Sequence, residues 1–458
     1  MVGARRLIPV LCLLGAAVTG ARAESLLELY RITLDSNPIL KGKEFALDQA
    51  KAQQDQALSK LLPQLMATGS YQKVDFRQSL QRGPQNLPDN RDFSEQYWGN
   101  MGSIQARQAL FDLPSYLRLQ GAEAFTLQSE NEVDAVRMAV AYDLADRYLN
   151  ALLADADINY VVAEKESVKE KLEQMRYMQE RQMATVTDLY QVEAYFSALI
   201  TREIEVNNAK AVALEKLRET TGVGVKNVSP LVQERFTLMS GQIDDWVRDA
   251  LHFNPKLTAL GHAIEGSSKM VSGSQAEHLP SANLVATQTY SNLGFQDRRF
   301  PPFTSASVGV QIQVPIYSGG GTQARVQESV ARWNQMKEQY EQQRREIEKE
   351  TRTAFLDVMA SHARIESTNQ EVVARAKAVD AQYKAYDLGT TTIVDVLETR
   401  RLLLRGRVEQ ARARYDFVRA LIALRMWSGS LHDPEIEAIG NWFVSKPQAA
   451  QAGKPDKS

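Results

Sequence analysis

The feature that most restricts the fold of this chain is its amount of uninterrupted helical sequence. Four runs without an interior proline carry helical patterning, at about 114–180, 188–221, 320–387 and 392–428. At 1.5 Å per residue, the longest would form a helix about 100 Å long, which no globular domain needs. A periodic run beyond ~25 residues is typical of a coiled coil. The sequence therefore predicts a chain dominated by long coiled-coil helices.

The third run has heptad spacing. Two series of residues are spaced by sevens: Tyr340, Ile347 and Ala354, then Val358, Ile365, Val372, Val379 and Tyr386. A step of four joins the two series, and such a stutter locally unwinds a supercoil. An ordinary coiled-coil spacer would show the same periodicity, so this pattern alone does not indicate a function.

The chain also contains an internal repeat. Four landmarks recur in the same order: Asn37-Pro38 as Asn254-Pro255, Leu62-Pro63 as Leu279-Pro280, Asp112 as Ser318, and Asp188 as Asp395. The spacing changes once, at the turn-rich segment Arg77 to Gln96, whose counterpart Gln296 to Phe303 is shorter. One duplicated unit explains this order. In each unit a helix, at about 25–61 or 242–277, precedes two alternating segments and two long helical runs.

The N-terminus has the pattern of an export signal. Arg5 and Arg6 precede an apolar stretch from Leu7 to Val18, and Ala21-Arg22-Ala23 forms a cleavage site. The single cysteine, Cys12, lies inside this segment in a poor lipidation context. We therefore expect a signal peptide at 1–23, a first structural repeat at 24–230, a second at 231–440 and a disordered tail at 441–458.

Four segments alternate with period two and are predicted strands, at about 65–76, 97–111, 282–295 and 304–317. Each is about as long as the ~9–11 residues that a tilted strand needs to cross a bilayer. Four strands in lipid would leave unpaired backbone groups on both edges, at several kcal/mol each. Membrane barrels close with eight or more strands. Several copies must then share one barrel; three copies would supply twelve strands, although strand count alone does not set that number.

The composition gives no sign of an enzyme or a nucleic-acid binder. The formal net charge is −2, so no basic surface is expected. The five histidines lack metal-ligand spacing, and the chain has no phosphate-binding loop or nucleophile elbow. No cofactor or metal is therefore predicted. No helical transmembrane segment is expected after the signal peptide.

Several motifs resemble those of the TolC family of outer-membrane exit ducts. They are Ser-Asn-Pro at 36–38, Leu-Leu-Pro-Gln-Leu at 61–65, Gln-Ala-Leu-Phe-Asp at 108–112, His-Leu-Pro at 278–280, Val-Pro-Ile-Tyr-Ser-Gly-Gly at 314–320 and Leu-Gly-Thr-Thr-Thr-Ile-Val-Asp-Val-Leu-Glu at 388–398. The resemblance implies an α+β membrane protein: a homotrimer with a 12-stranded β-barrel in the outer membrane and a long periplasmic α-helical barrel. It also implies outer-membrane lipid, a periplasmic adaptor and an inner-membrane transporter as partners.

The segment 389–398 carries the candidate site. Gly389 can end one helix, the threonines that follow can cap the next, and Asp395 and Glu398 then share one face near its start. Dipole complementation alone would explain two such acids. The family resemblance instead implies that both acids line the closed periplasmic mouth, where three copies would form a cation-attracting ring.

The resemblance also implies a latch that holds the mouth shut. In members of the family, an aspartate in the first turn forms a hydrogen bond with a tyrosine just before the second turn. Here Thr187-Asp188 lie at the position in the first turn, and Tyr386 lies at the position before the second. The chain departs from the family twice. Thr391 stands where an arginine often adds a link, and Gln182 stands where the first turn usually has glycine. Core packing is the alternative role for Tyr386.

The functional prediction is a channel-tunnel of a type I secretion system. It would take protein cargo from an inner-membrane ABC transporter and its adaptor across the periplasm and outer membrane. The absence of a lipidated mature N-terminus favours this branch over its alternative, the outer-membrane component of a tripartite drug efflux pump. A periplasmic coiled-coil scaffold without a pore is the second alternative.

Overall fold

The computed structural model describes residues 24–78, 93–232, 236, 241–293 and 302–443. In chain order the elements are α1 (Leu26–Ser36), α2 (Pro38–Ser59), β1 (Gln64–Gln78), β2 (Phe93–Phe111), α3 (Leu113–Glu180), α4 (Val186–Thr221), α5 (Ile243–Phe253), α6 (Pro255–Ala276), β3 (Ser281–Asn292), β4 (Phe303–Gln313), α7 (Gly321–Asp387), α8 (Ile393–Trp427) and α9 (Asp433–Gly440). The predicted signal peptide, most of the loop at 77–96 and the predicted tail beyond residue 443 lie outside the described residues.

The first four helices recur in the second half of the chain at nearly the same lengths, whereas the two strands are shorter there, with 12 and 11 residues against 15 and 19. The helices α1 and α5 have 11 residues each, and α2 and α6 have 22 each. The long helices α3 and α7 have 68 and 67 residues, and α4 and α8 have 36 and 35. The predicted tandem repeat is therefore confirmed at the level of secondary structure.

The first helix of each repeat is broken where the sequence analysis expected it to continue. Asn37 has extended backbone, and Pro38 begins α2; Asn254 and Pro255 do the same in the second repeat. A residue before proline is disfavoured in the helical region, because the proline ring crowds it. The side chain of Asn254 then caps α6 by accepting a hydrogen bond from the amide of Lys256. The prediction of single helices at 25–61 and 242–277 was wrong at these positions.

The described residues fall into two compact units, and each unit takes segments from both repeats. Unit 1 contains the segments up to Leu40, Arg137–Ala250 and from Glu348 onward, and unit 2 contains Lys41–Val136 and Leu251–Ile347. The helices α3 and α7 contribute to both units.

Unit 2 contains one antiparallel sheet with the strand order β1-β2-β3-β4. The register places Gln64 opposite Arg107 and Ser281 opposite Gln313. Among the described residues, β1 and β4 are edge strands, and every residue of β4 is exposed in the single chain. The strand β4 ends at Gln313 rather than at 317 as predicted, because Pro315 has no amide hydrogen to continue the ladder. This chain alone therefore leaves two strand edges to be satisfied by other strands.

Unit 2 holds its helices together beside the sheet in two ways. The carboxylate of Glu277, at the end of α6, accepts hydrogen bonds from Arg118 near the start of α3 and from Arg325 near the start of α7. Glycines allow α3 and α6 to approach closely, because a Cβ on Gly266 would lie 3.1 Å from the carbonyl oxygen of Gly121. The ends of α3, α6 and α7 next to the strands are thus held together by hydrogen bonds and close packing.

The core of unit 1 surrounds Tyr148, which is fully buried. Its hydroxyl lies 3.1 Å from the carbonyl oxygen of Glu24 and accepts a hydrogen bond from the amide of Ser229. Its ring meets Phe443 edge to face. Burial raises the pKa of the Tyr148 hydroxyl well above its usual range. These contacts join α3 to the N-terminal segment, the link between the repeats and the segment after α9.

Among the described residues, no helix is both long enough and apolar enough to cross a membrane.

Candidate functional site

The turn between α7 and α8 is closed by backbone hydrogen bonds of the Schellman type. Gly389 has φ 71°, which is left-handed and favours glycine. The amide of Thr390 donates to the carbonyl of Ala385, and the amide of Gly389 donates to that of Tyr386. These bonds satisfy the last carbonyls of α7. The chain therefore reverses here with its backbone groups paired.

Asp395 completes the N-terminal cap of α8. Thr392 is the cap residue: its hydroxyl accepts from the Asp395 amide at 3.4 Å, while Asp395 Oδ2 accepts from the Thr392 amide at 3.2 Å. The hydroxyls of Thr392 and Thr391 also donate to this oxygen, at 2.6 and 3.0 Å. Hydrogen bonds from Thr392, then Thr391, lower the pKa of Asp395. The carboxylate therefore stays ionised in this turn, and Thr391 takes part in the cap.

Glu398 lies one turn further along α8 and stays exposed. Its Oε2 accepts a hydrogen bond from Arg401 of the same helix at 3.0 Å, and both side chains are more than half exposed. An exposed pair three residues apart is worth only a few tenths of a kcal/mol. The structure thus places both predicted acids at the start of α8, and it adds a neighbouring cation that sequence reasoning did not include.

The turn between α3 and α4 has the same geometry without a glycine. Gln182 has φ 62°, the single positive value at a non-glycine position among the described residues. The amide of Met183 donates to the carbonyl of Met178, as in the second turn. Thr185 caps α4 by accepting from the amide of Asp188 at 3.1 Å, which places Thr187 and Asp188 in the first turn of α4. The sequence analysis did not identify Thr185 as the cap.

The predicted latch residues lie near each other, but the contact of Tyr386 differs from the one expected. Its hydroxyl is 3.9 Å from the sulfur of Met175. Partial burial, followed by the charge of Asp188, raises the pKa of Tyr386. Within the described part of this single chain, no hydrogen bond joins Tyr386 to Asp188. The latch therefore stays a prediction.

A small apolar core lies behind the two turns. It consists of side chains from α3, α4 and α8: Val168, Leu172, Met175, Val192, Tyr195, Leu199, Ile393, Val396 and Leu397. Tyr383 and Tyr386 of α7 pack against it. The start of α8, which carries the acidic pair, is therefore fixed to both helical pairs by burial of apolar surface.

One buried ion pair crosses this region and was missed by sequence reasoning. Arg400 of α8 binds Glu164 of α3 in a fork, with Nε–Oε1 at 2.7 Å and Nη2–Oε2 at 2.8 Å. Each side chain is only 10% exposed. A signal was present, since Arg400 falls on the apolar face marked by Ile393, Val396 and Leu397. A charged residue on a buried face needs a partner.

No group of histidine, cysteine or acidic residues in the described ranges has the geometry of a metal site.

The chain is similar to known proteins in both sequence and structure. A family model described as outer membrane efflux protein matches residues 29–223 and 246–430. The chain is 26% identical to the outer membrane protein TolC of Vibrio cholerae, over 94% of this chain and 97% of the relative. It is 27% identical to the alkaline protease secretion protein AprF of Pseudomonas aeruginosa, over 93% and 88%. The solved Campylobacter jejuni CmeC outer membrane channel superposes with a TM-score of 0.75 at 18% identity, over 92% and 90%.

These findings confirm the predicted fold class. The described part of the protomer has four strands and long paired helices, in the fold of trimeric outer-membrane channels whose large helical barrel lies in the periplasm. Proteins of this kind are channels rather than enzymes, and they work with an adaptor and an inner-membrane transporter. Because the family model covers most of the chain in two blocks that follow the repeat, the chain belongs to the outer membrane efflux protein family.

Proposed function

We propose that the chain is the outer-membrane channel-tunnel of a type I secretion system. Three copies would receive exported protein from an inner-membrane ABC transporter through a periplasmic adaptor. The observation that carries this proposal is the similarity to AprF, a protease secretion protein, along nearly the whole chain. Drug efflux is the second candidate, and the description of the matching family as efflux proteins supports it.

A paired export assay separates the two candidates. The chain is expressed in cells that lack their own outer-membrane channel and carry either a type I exporter with its adaptor and protein cargo, or a drug pump with its adaptor. We expect cargo in the medium in the first strain and unchanged drug sensitivity in the second. Restored drug resistance without protein export would favour the drug-pump alternative.

We infer that Asp395 and Glu398 line the narrow periplasmic mouth. Both acids are exposed at the start of α8, next to a tight turn, and the hydrogen bonds of Asp395 favour its ionised form. Three copies would place six carboxylates around one axis, and such a ring favours cations over anions. In this arrangement Arg401 neutralises part of the charge of Glu398.

Ion selectivity in planar bilayers tests the acidic ring. Asp395→Asn with Glu398→Gln keeps the size of both side chains and removes their charge, so the cation-to-anion permeability ratio should fall towards one. The matched control is Asp245→Asn, since Asp245 is a half-exposed acid that also binds a helix-start amide, that of Gln242. A double variant with the selectivity of the unmodified channel would refute the ring.

We also infer that the chain is processed to begin at Glu24, with repeats at 24–230 and 231–440 and a periplasmic tail from 441. The amide of Glu24 donates to the carbonyl of Asn227, and its carbonyl accepts from the amide of Ser229, so this residue is seated in unit 1. The mass of the mature channel protein, purified from the outer membrane, checks the cleavage site: it should match a chain that begins at Glu24.

A further inference from the structure

The pair Arg400–Glu164 joins the two repeats beside the candidate mouth. Glu164 lies on α3 of the first repeat, and Arg400 lies on α8 of the second. Arg400 is two residues beyond Glu398 and five beyond Asp395, so it sits within two turns of both acids. A displacement of the start of α8 away from α3 would therefore strain or break this contact.

Two tyrosines extend the pair to all four long helices. Nη1 of Arg400 donates to the hydroxyl of Tyr383 on α7 at 2.7 Å. The hydroxyl of Tyr195 on α4 lies 3.4 Å from Oε1 of Glu164. All three nitrogens of the guanidinium thus have a partner, and the carboxylate has three donors. We call these four residues the charge clamp.

Burial makes the clamp different from the exposed ion pairs elsewhere on the same helix. Arg400 and Glu164 are each 10% exposed, whereas Arg412 and Glu409 are 46% and 36% exposed. Removing one partner of a buried pair leaves an uncompensated charge away from water, which is far more costly than losing an exposed pair. The bidentate geometry also fixes the orientation of the two side chains relative to each other, because the guanidinium and the carboxylate form two parallel hydrogen bonds.

We propose that the charge clamp is a positioning device that sets the width of the periplasmic mouth. It holds the first two turns of α8 against α3, and through them the acidic pair at a set distance from the axis. Two contacts of one fork must break together, so the clamp is either formed or broken. In this proposal the mouth is narrow while the clamp is formed and wider once it is broken. This proposal rests on the proposed channel, and it assigns to Arg400 and Glu164 a role that does not require the latch of Tyr386 and Asp188.

Single-channel conductance of the purified trimer tests the proposal. Arg400→Gln and Glu164→Gln each leave one buried charge without its partner, so each should shift the balance from the narrow to the wide state by roughly 100-fold or more. Conductance should rise in both. Reversing the pair, with Arg400→Glu and Glu164→Arg together, should return conductance towards that of the unmodified channel. Loss of a pair with a purely structural role would lower the stability of the trimer and leave the conductance of the folded variants unchanged, so conductance separates the two roles.

The control is Arg412→Gln, which removes an exposed pair of α8 three turns further on and should leave conductance unchanged. Heat-stable trimers on gels show that each variant is folded; if Arg400→Gln does not assemble, Glu164→Gln and the reversed pair decide the question. Unaltered conductance in folded single variants, with the cation preference intact, would overturn the clamp and leave the channel standing. Absence of any conductance in the unmodified protein would instead overturn the proposed function.

Discussion

The two turns that end the long helical pairs have the same backbone and different means of holding it. Both close with matching Schellman-type bonds, from Met183 to Met178 in the first and from Thr390 to Ala385 in the second. The second turn uses Gly389 at φ 71°, whereas the first puts Gln182 at φ 62°. A side chain in this region costs roughly 1–2 kcal/mol relative to glycine. The first turn therefore keeps its shape at a local cost that the packing around it must offset.

The helix caps that follow the two turns also differ, and the cap after the second turn has more hydrogen bonds. At α8 the hydroxyl of Thr392 and the carboxylate of Asp395 each bond the backbone of the other, which forms a complete capping box. At α4 the hydroxyl of Thr185 accepts from the amide of Asp188. The second turn is therefore stabilised mainly by its own residues, whereas the first turn depends more on the rest of the fold.

The largest expected effect on local stability comes from substituting the residue with positive φ in each turn. Gly389→Ala should destabilise the second turn by about 1–2 kcal/mol, because a Cβ is strained at positive φ. Hydrogen exchange followed by mass spectrometry should show protection of the turn amides reduced roughly 5- to 30-fold. Gln182→Gly is the mirror variant and should increase protection of the first turn. Equal protection before and after the change at Gly389 would mean that local strain does not govern this turn.

Removing the caps should have a smaller effect. Thr392→Ala should destabilise the start of α8 by about 1 kcal/mol, and Thr185→Ala should cost less at α4. The reason for the difference is that the Thr392 hydroxyl both accepts from the Asp395 amide and donates to Asp395 Oδ2, so its loss removes two hydrogen bonds, whereas the loss of the Thr185 hydroxyl removes one. Exchange rates at the first amides of each helix provide the measurement. A greater loss at α4 would reverse the ranking of the two turns.

The smallest expected effect is a dependence on acid that is specific to the second turn. The pKa of Asp395 is lowered in the folded state, so its contribution to stability is present above its unfolded pKa of ~3.9 and is lost as pH falls through the lower folded value. Protection at the start of α8, corrected for intrinsic exchange, should therefore fall below about pH 4. The variant Asp395→Asn should lack this dependence, and a dependence that persists in it would assign the effect to another group.

Much of the fold could be predicted because it depends on local patterns. Prolines, turn residues and heptad spacing placed the ends of α3, α4, α7 and α8 within a few residues. The break at Asn37-Pro38 was missed although the dipeptide itself had been noticed, because apolar spacing continues across it. The acidic pair was likewise accessible, since a glycine, a run of threonines and two acids describe a helix start by themselves.

The other contacts of the site could not be predicted from local sequence patterns. Nothing near Arg400 in the sequence identifies Glu164 as its partner, since 236 residues separate them and both lie among many other charged residues. The contact of Tyr386 with Met175 also comes from packing between helices of different repeats.

By itself, the sequence determined the tandem repeat, the long helices, the strand pattern and the residues of the second turn, Gly389 and the threonines that follow it. All of these follow from backbone preferences and from apolar spacing over a few residues, which act before any distant part of the chain is in place. Only the tertiary structure decided which charges are buried, which faces of the helices meet and how the strands order into one sheet with two open edges. Those outcomes depend on burial and partner geometry between segments far apart in the chain, and desolvation makes them strong.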